Sequence, residues 1–196
     1  MILGTHNTMS YKKPKQWYLR LMKFFARCQT KTWKEQIEEL GTGCLDFRLY
    51  WKDGELEYRH GCFRYDASDF WEVLDYCNQK KGMYIRVSLE HRKKKEEAPE
   101  DLVKKFQETC EIMQHSYQDI TFFGGRNMGT WTKLYDFGNN PKIRECCSST
   151  TQLISWLPKW IDDWCPWFYA KFKNKENLEK NKDFSGIVLF DFIEIK

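Results

Sequence analysis

The chain has 196 residues, of which 41% are apolar, 17% aromatic and 31% charged, a make-up that excludes a disordered, collagen-like or low-complexity chain. The length suits a single domain spanning residues 1–196 that buries a core without staples. Net charge is only +4, from 32 Lys and Arg against 28 Asp and Glu, but residues 1–34 carry eight Lys or Arg and no acid.

In chain order, Met1–Thr5 is a short apolar run ending near Gly4, a first strand. Pro14 opens a predicted helix through Trp17–Cys28, with Trp17, Leu21, Phe24, Phe25 and Cys28 at helical spacing. A second helix, Thr32–Leu40, stops at Gly41. Cys44–Trp51 is a strand, Lys52-Asp53-Gly54 a turn, and Glu57–His60 a short strand. Ser68 is placed to cap a helix running to Asn78. Met83–Glu90 alternates Ile85, Val87 and Leu89 with Arg86 and Ser88, as a strand does. After a charged loop, Pro99–Tyr117 is a helix with Leu102, Phe106, Cys110 and Met113 on one face. Ile120–Phe123 is a strand ending at Gly124-Gly125, and Lys133–Phe137 and Ile143–Cys147 are weaker strands. Ser149–Phe172 reads as helix interrupted at Pro158 and Pro166, and Ile187–Ile195 as the last strand.

No apolar run reaches the roughly 18–20 residues of a membrane span, and the N-terminus lacks the pattern of a signal peptide. The expected location is cytoplasmic or at a membrane periphery. The eight cysteines contain no C-x-x-C pair, so they read as reduced core residues and not as zinc ligands. The basic N-terminal stretch interleaves Tyr11, Trp17, Tyr18, Phe24, Phe25 and Trp33 with its lysines. That suits an anionic partner, although charge alone is accounted for by a solvated amphipathic helix.

Strands alternating with helices predict parallel β–α units. Seven or eight strands favour a small β/α barrel over an open doubly wound sheet, which also lacks its Gly-rich phosphate loop. Such a barrel gathers its active groups at the carboxyl ends of strands. The predicted strand ends offer His6-Asn7, Asp46 with Arg48, His60-Gly61, Glu90, and Asp191 with Glu194 beyond. Two imidazoles and a guanidinium suit in-line attack on a phosphodiester. One His removes a proton, one delivers a proton, and Arg holds the phosphoryl oxygens. A carboxylate behind a His fixes its tautomer.

The ordered segments Leu3-Gly4-Thr5-His6-Asn7-Thr8-Met9-Ser10-Tyr11, Gly43-Cys44-Leu45-Asp46-Phe47-Arg48, Tyr58-Arg59-His60-Gly61 and Ser88-Leu89-Glu90 resemble the X-domain of phosphatidylinositol-specific phospholipase C. Val188-Leu189-Phe190-Asp191-Phe192 is similar to the last strand of the bacterial enzymes, whereas residues 91–186 match weakly. The resemblance implies an α/β fold, a small, distorted or incompletely closed TIM barrel. It implies cleavage of phosphatidylinositol to diacylglycerol and a cyclic inositol phosphate at a membrane surface, with no nucleic-acid partner. By motif position, His6 is the general base, His60 the general acid, and Arg48 the phosphate ligand. Asp191 orients His6, and Asp46 supports the acid side.

Bacterial enzymes usually carry His-Asp where this chain has His6-Asn7. Animal-type enzymes carry His-Asn and bind Ca²⁺. Here Asn7, Asp46 and Glu90 fall at three of the calcium positions, but Arg48 takes the fourth. A guanidinium repels a cation, so the expectation is catalysis without metal or other cofactor, with Ca²⁺ through those three residues as the alternative. Asn7, Glu90 and Arg126 are then candidate substrate-binding residues. His91 and His115 read as solvent-facing, and the Trp156, Trp160, Trp164, Trp167 series as a core stripe or an interfacial anchor. Two other functions remain open on these residues. One is a metal-dependent glycerophosphodiester phosphodiesterase or sphingomyelinase D-like enzyme. The other is a silent phospholipid-binding module.

Overall fold

The computed structural model describes residues 1–91, 96–147 and 166–195. They form strands β1 (Ile2–Thr5), β2 (Cys44–Lys52), β3 (Glu55–His60), β4 (Phe63–Asp66), β5 (Met83–Leu89), β6 (Ile120–Asn127), β7 (Ile143–Cys146) and β8 (Ile187–Phe190). The helices are α1 (Trp33–Glu38), α2 (Phe70–Lys80), α3 (Glu100–Ser116) and α4 (Pro166–Asn181). The chain is α/β, as its alternation predicts. It divides into two compact units, Met1–Leu45 with Pro141–Lys196, and Asp46–Asn140.

In the first unit β1 runs parallel to β8, and β8 runs parallel to β7. The start of β2 lies parallel to β1. The apolar side chains of β7 and β8 enter a core of Cys146, Val188, Phe190 and Ile193, with Leu3, Leu40, Leu178 and Phe184 packed against it. Gly4 is required where β1 lies between its neighbours. A Cβ there would stand 2.5 Å from Leu189 Cδ2 and 3.1 Å from Cys44 Cβ. Helix α1 starts at Thr32, whose hydroxyl accepts from Glu35 N while the Glu35 carboxylate accepts from Thr32 N at 2.7 Å. This reciprocal pair satisfies two otherwise orphaned N–H groups.

In the second unit β2, β3 and β4 form an antiparallel meander, and β5 runs parallel to β6. Alternation along β2 sends Phe47 and Leu49 to the face opposite Asp46 and Arg48. Phe47 meets Phe70 of α2 at a ring separation of 5.9 Å. Helix α2 buries Phe70, Val73, Leu74 and Cys77, and α3 buries Leu102, Phe106, Cys110 and Met113. Each large apolar side chain buried this way contributes about 1.5–3 kcal/mol.

Several expectations are corrected. Residues 17–28 are not an α-helix. They make two 3₁₀ turns, Trp17–Leu19 and Lys23–Phe25, neither of which buries a residue. Without a buried face, helical spacing has nothing to pack against. Strand β6 continues through Gly124 and Gly125 to Asn127, with a register shift at Val87/Ser88. Gly125 has φ 65°, and a Cβ there would lie 2.1 Å from Tyr135 O. Glycine here permits a bulge and does not end the strand. Lys133–Phe137 reduces to one bridge, Arg126↔Lys133. Strand β4 was not anticipated. The last strand stops at Phe190, because Phe192 has φ 45° and turns the chain. The described part of this segment is α4 from Pro166, a residue that suits a first helical turn. The rest of the predicted 149–172 helix, with Trp156, Trp160 and Trp164, lies outside the described residues. His91 is buried, not solvent-facing, while His115 is exposed.

Candidate functional site

In the first unit, Thr5 and Phe190 are in register at the ends of β1 and β8. The residues that follow them are His6 and Asp191. His6 Nδ1 lies 2.7 Å from Asp191 Oδ1, and both side chains are almost fully buried. A carboxylate held at hydrogen-bond distance from one ring nitrogen fixes the tautomer and aims the other nitrogen.

The backbone around this pair is clamped from outside the strands. Gln29 Nε2 donates to His6 O at 3.0 Å and to Phe190 O at 2.8 Å. Asn174 Nδ2, on α4, donates to Asp191 O at 2.8 Å and to Phe192 O at 3.1 Å. Ser10 Oγ accepts from Cys28 N and Gln29 N, tying the Gln29 segment to the turn after His6. Asn7 is buried with φ 48° and ψ 56°, and Ser10 N donates to its carbonyl. Asparagine adopts this left-handed conformation more readily than most residues, which gives Asn7 a backbone reason to be there.

In the second unit, Asp46 is the centre of a charge cluster. Arg86 donates through Nε to Oδ1 at 2.8 Å and through Nη2 to Oδ2 at 2.9 Å. Arg48 Nε donates to Asp46 Oδ2 at 3.3 Å, and Arg48 Nη1 lies 3.6 Å from Glu90 Oε2. Glu90 Oε1 accepts from Gly61 N at 2.8 Å, which fixes the end of β3, where half-buried His60 sits, beside Glu90. A strand-end position for His60 on the barrel rule requires a parallel strand. β3 is antiparallel to β2, and the Gly61–Glu90 bond holds the residue after His60 against this cluster.

Asp46 and Glu90 are two of the residues of the calcium alternative. Each already faces a guanidinium. Replacing those contacts with Ca²⁺ would leave a divalent cation beside Arg48 and Arg86, so this donor set does not fit it. Arg126 is exposed on β6, and its guanidinium donates to Trp131 O at 3.0 Å. Its described side-chain hydrogen bond goes to Trp131 and not to the Asp46 cluster.

The structure brings His6 to Asp191, and Asp46 to Arg48 and Glu90, as pairs; Arg86, Gln29, Asn174 and Cys147 stand beside them without having been singled out by the sequence. Arg86 left a signal, because a charge inside an otherwise apolar strand needs a buried partner. Gln29 and Asn174 left none, since their roles depend on carbonyls far away in sequence. The described cysteines are not in disulfides, and all but Cys62 are buried. Burial pushes the Cys77 thiol up to about 12. It also raises Cys146, against the pull of Arg144.

No protein-family model and no curated protein sequence matches the chain. A solved structure does. Phosphatidylinositol-specific phospholipase C from Listeria monocytogenes superposes with a TM-score of 0.61 at 16% identity, over 97% of this chain and 87% of that one. The likeness is one of fold. The chain has a phosphatidylinositol-specific phospholipase C-like fold, a small, incompletely closed β/α barrel.

Proposed function

We propose that the protein is a phospholipase C that cleaves phosphatidylinositol without a metal ion. The observation that carries the reading is the buried His6–Asp191 pair, formed where β1 and β8 end in register. Asp191 orients His6, whose imidazole takes the proton from the inositol 2-hydroxyl as that oxygen attacks phosphorus. His60 donates a proton to the departing diacylglycerol oxygen. Arg48 holds the non-bridging oxygens and stabilises the charge that grows on them. Asp46, itself gripped by Arg86, accepts from Arg48, while the Glu90–Gly61 bond holds the end of β3. Asn7, Glu90 and Arg126 remain proposed substrate contacts. The occupied carboxylates of Asp46 and Glu90 support the metal-free form over a metal-dependent phosphodiesterase.

A lipid substrate also requires an interfacial surface. Trp17 is 76% exposed and Leu21 92%, with Tyr18, Met22 and Phe24 also exposed. Lys13, Lys15 and Arg20 are exposed among them. Large apolar side chains held out by 3₁₀ turns among cations suit insertion into an anionic membrane. Among the described residues, no helix is long and apolar enough to cross one. The reading therefore takes the protein to be membrane-peripheral.

The test is phosphorus NMR of phosphatidylinositol micelles incubated with the protein and a chelator. The reading expects a cyclic inositol phosphate signal. Lipid binding without any product would establish the silent binding module instead, and turnover restored only by added metal would establish the metal-dependent enzyme.

A further inference from the structure

The first unit holds a group that the proposed reaction leaves unused. Strand β7 ends at Cys146, which is in register with Phe190, and Phe190 is in register with Thr5. The next residues along these adjacent parallel strands are therefore Cys147, Asp191 and His6, side by side. Their side chains bring one imidazole nitrogen, one thiol sulfur and one carboxylate oxygen within 4.8 Å of one another, all buried.

The order of the three decides what they can do. A thiol nucleophile needs its histidine in the middle, with the sulfur on one ring nitrogen and the carboxylate on the other. Here the carboxylate stands between the strands that carry the thiol and the imidazole, and all three groups converge on a common point. Convergent N, S and O donors are the set that binds a borderline-soft divalent cation. Tetrahedral zinc, with bonds of about 2.0–2.3 Å, holds its ligand atoms roughly 3.3–3.8 Å apart. The thiol sulfur, within 4.8 Å of the other two ligand atoms, needs to close by at most about 1 Å, within reach of a thiol rotation, while His6 Nδ1 and Asp191 Oδ1, 2.7 Å apart, would open by about 0.6 Å. Gln29 and Asn174 clamp the backbone at His6, Asp191 and Phe192, and Cys147 follows directly on Cys146, which is paired in register with Phe190.

We infer that His6, Cys147 and Asp191 form a Zn²⁺ site, and that zinc bound there switches the histidine off. Binding forms Zn–N, Zn–S and Zn–O bonds. The thiol proton leaves to solvent, and the proton between His6 Nδ1 and Asp191 Oδ1 moves to the other ring nitrogen. His6 then has no lone pair with which to accept a proton. This inhibition rests on the phospholipase reading, whereas the binding does not. Hard oxygen-seeking Ca²⁺ and Mg²⁺ gain nothing from a thiolate and should not compete.

The test uses the full chain with Co²⁺ as a coloured substitute and Zn²⁺ in calorimetry. The expected result is one metal per chain, a thiolate-to-cobalt charge-transfer band, and about one proton released per zinc. Cys147→Ser should abolish the band and weaken zinc binding at least about tenfold, while Cys62→Ser, at an exposed thiol, should change neither. Zinc-edge X-ray absorption of the unaltered protein needs no variant, and should show one sulfur with lighter N/O ligands. A shell without sulfur, or a band that survives Cys147→Ser, would overturn the site. Zinc binding as described by a protein that never turns over lipid would leave the site standing and contradict the functional reading alone.

Discussion

Arg86 grips Asp46 with two guanidinium nitrogens, one on each carboxylate oxygen, at 2.8 and 2.9 Å. The contact joins β5 to β2, and Arg48 donates to the same carboxylate. A buried carboxylate shared by two arginines cannot lose one without leaving charge poorly compensated. Arg86→Leu should therefore destabilise the protein by about 3–5 kcal/mol, read as a lower urea midpoint. Asp46→Leu/Arg86→Leu should recover much of that loss, because both buried charges go together. Equal stability of Arg86→Leu and the unaltered protein would show that the contact contributes nothing.

Gly4 tests the tight strand packing beside His6. Gly4→Ala puts a methyl 2.5 Å from Leu189 Cδ2 and 3.1 Å from Cys44 Cβ. Overpacking of this kind costs about 1–3 kcal/mol. A thermal melt should move down accordingly, and an unchanged melting temperature would mean that β1 and β8 separate freely.

The exposed 17–24 segment makes a different kind of prediction. Trp17→Ala/Leu21→Ser removes two largely exposed side chains, of which Trp17 meets only Tyr18 among the described ring contacts, so folding stability should stay within about 0.5 kcal/mol. Inserting one such side chain in a membrane is favourable by about 1.5–3 kcal/mol. Sedimentation with phosphatidylinositol-containing vesicles should then show binding at least about tenfold weaker. Unchanged binding would place the membrane contact elsewhere.

Glu176 on α4 carries a pH signature. Hydrogen bonds from Lys180 and then Lys173 lower its pKa from 4.5 to about 2. A carboxyl depressed on folding contributes stability above its unfolded pKa and loses it as pH falls through the folded one. The stability difference between the unaltered protein and Glu176→Gln should be flat from pH 5 to 8, then shrink from about pH 4.5 towards 2. The group is exposed, so the difference should be small and weakened by salt. A difference that grows on acidification contradicts the assignment.

Much of the site was legible because β/α periodicity announces which residues end strands. His6 and Asp191 each follow an apolar strand, and Asp46 and Arg48 alternate with core residues on β2. The antiparallel course of β3 was also signalled, by the Asp53-Gly54 turn, where φ is 53° and 87°. Two consecutive positive φ values suit a two-residue hairpin, which makes its strands antiparallel. The 17–28 segment misled because spacing reports which residues share a face, and not whether anything covers that face. Gln29, Asn174 and Cys147 were illegible for another reason. What they touch is set by the register of β1, β8 and β7, which local sequence does not state.

The central claim is that His6, aimed by Asp191, is the general base for phosphodiester cleavage. The most direct measurement is the initial rate of cyclic inositol phosphate release from phosphatidylinositol vesicles, with chelator present, for the unaltered protein and His6→Ala. Turnover in chelator is expected, with a fall of about 10²–10⁴-fold in the variant and vesicle binding retained. Turnover by His6→Ala at the full rate would contradict it.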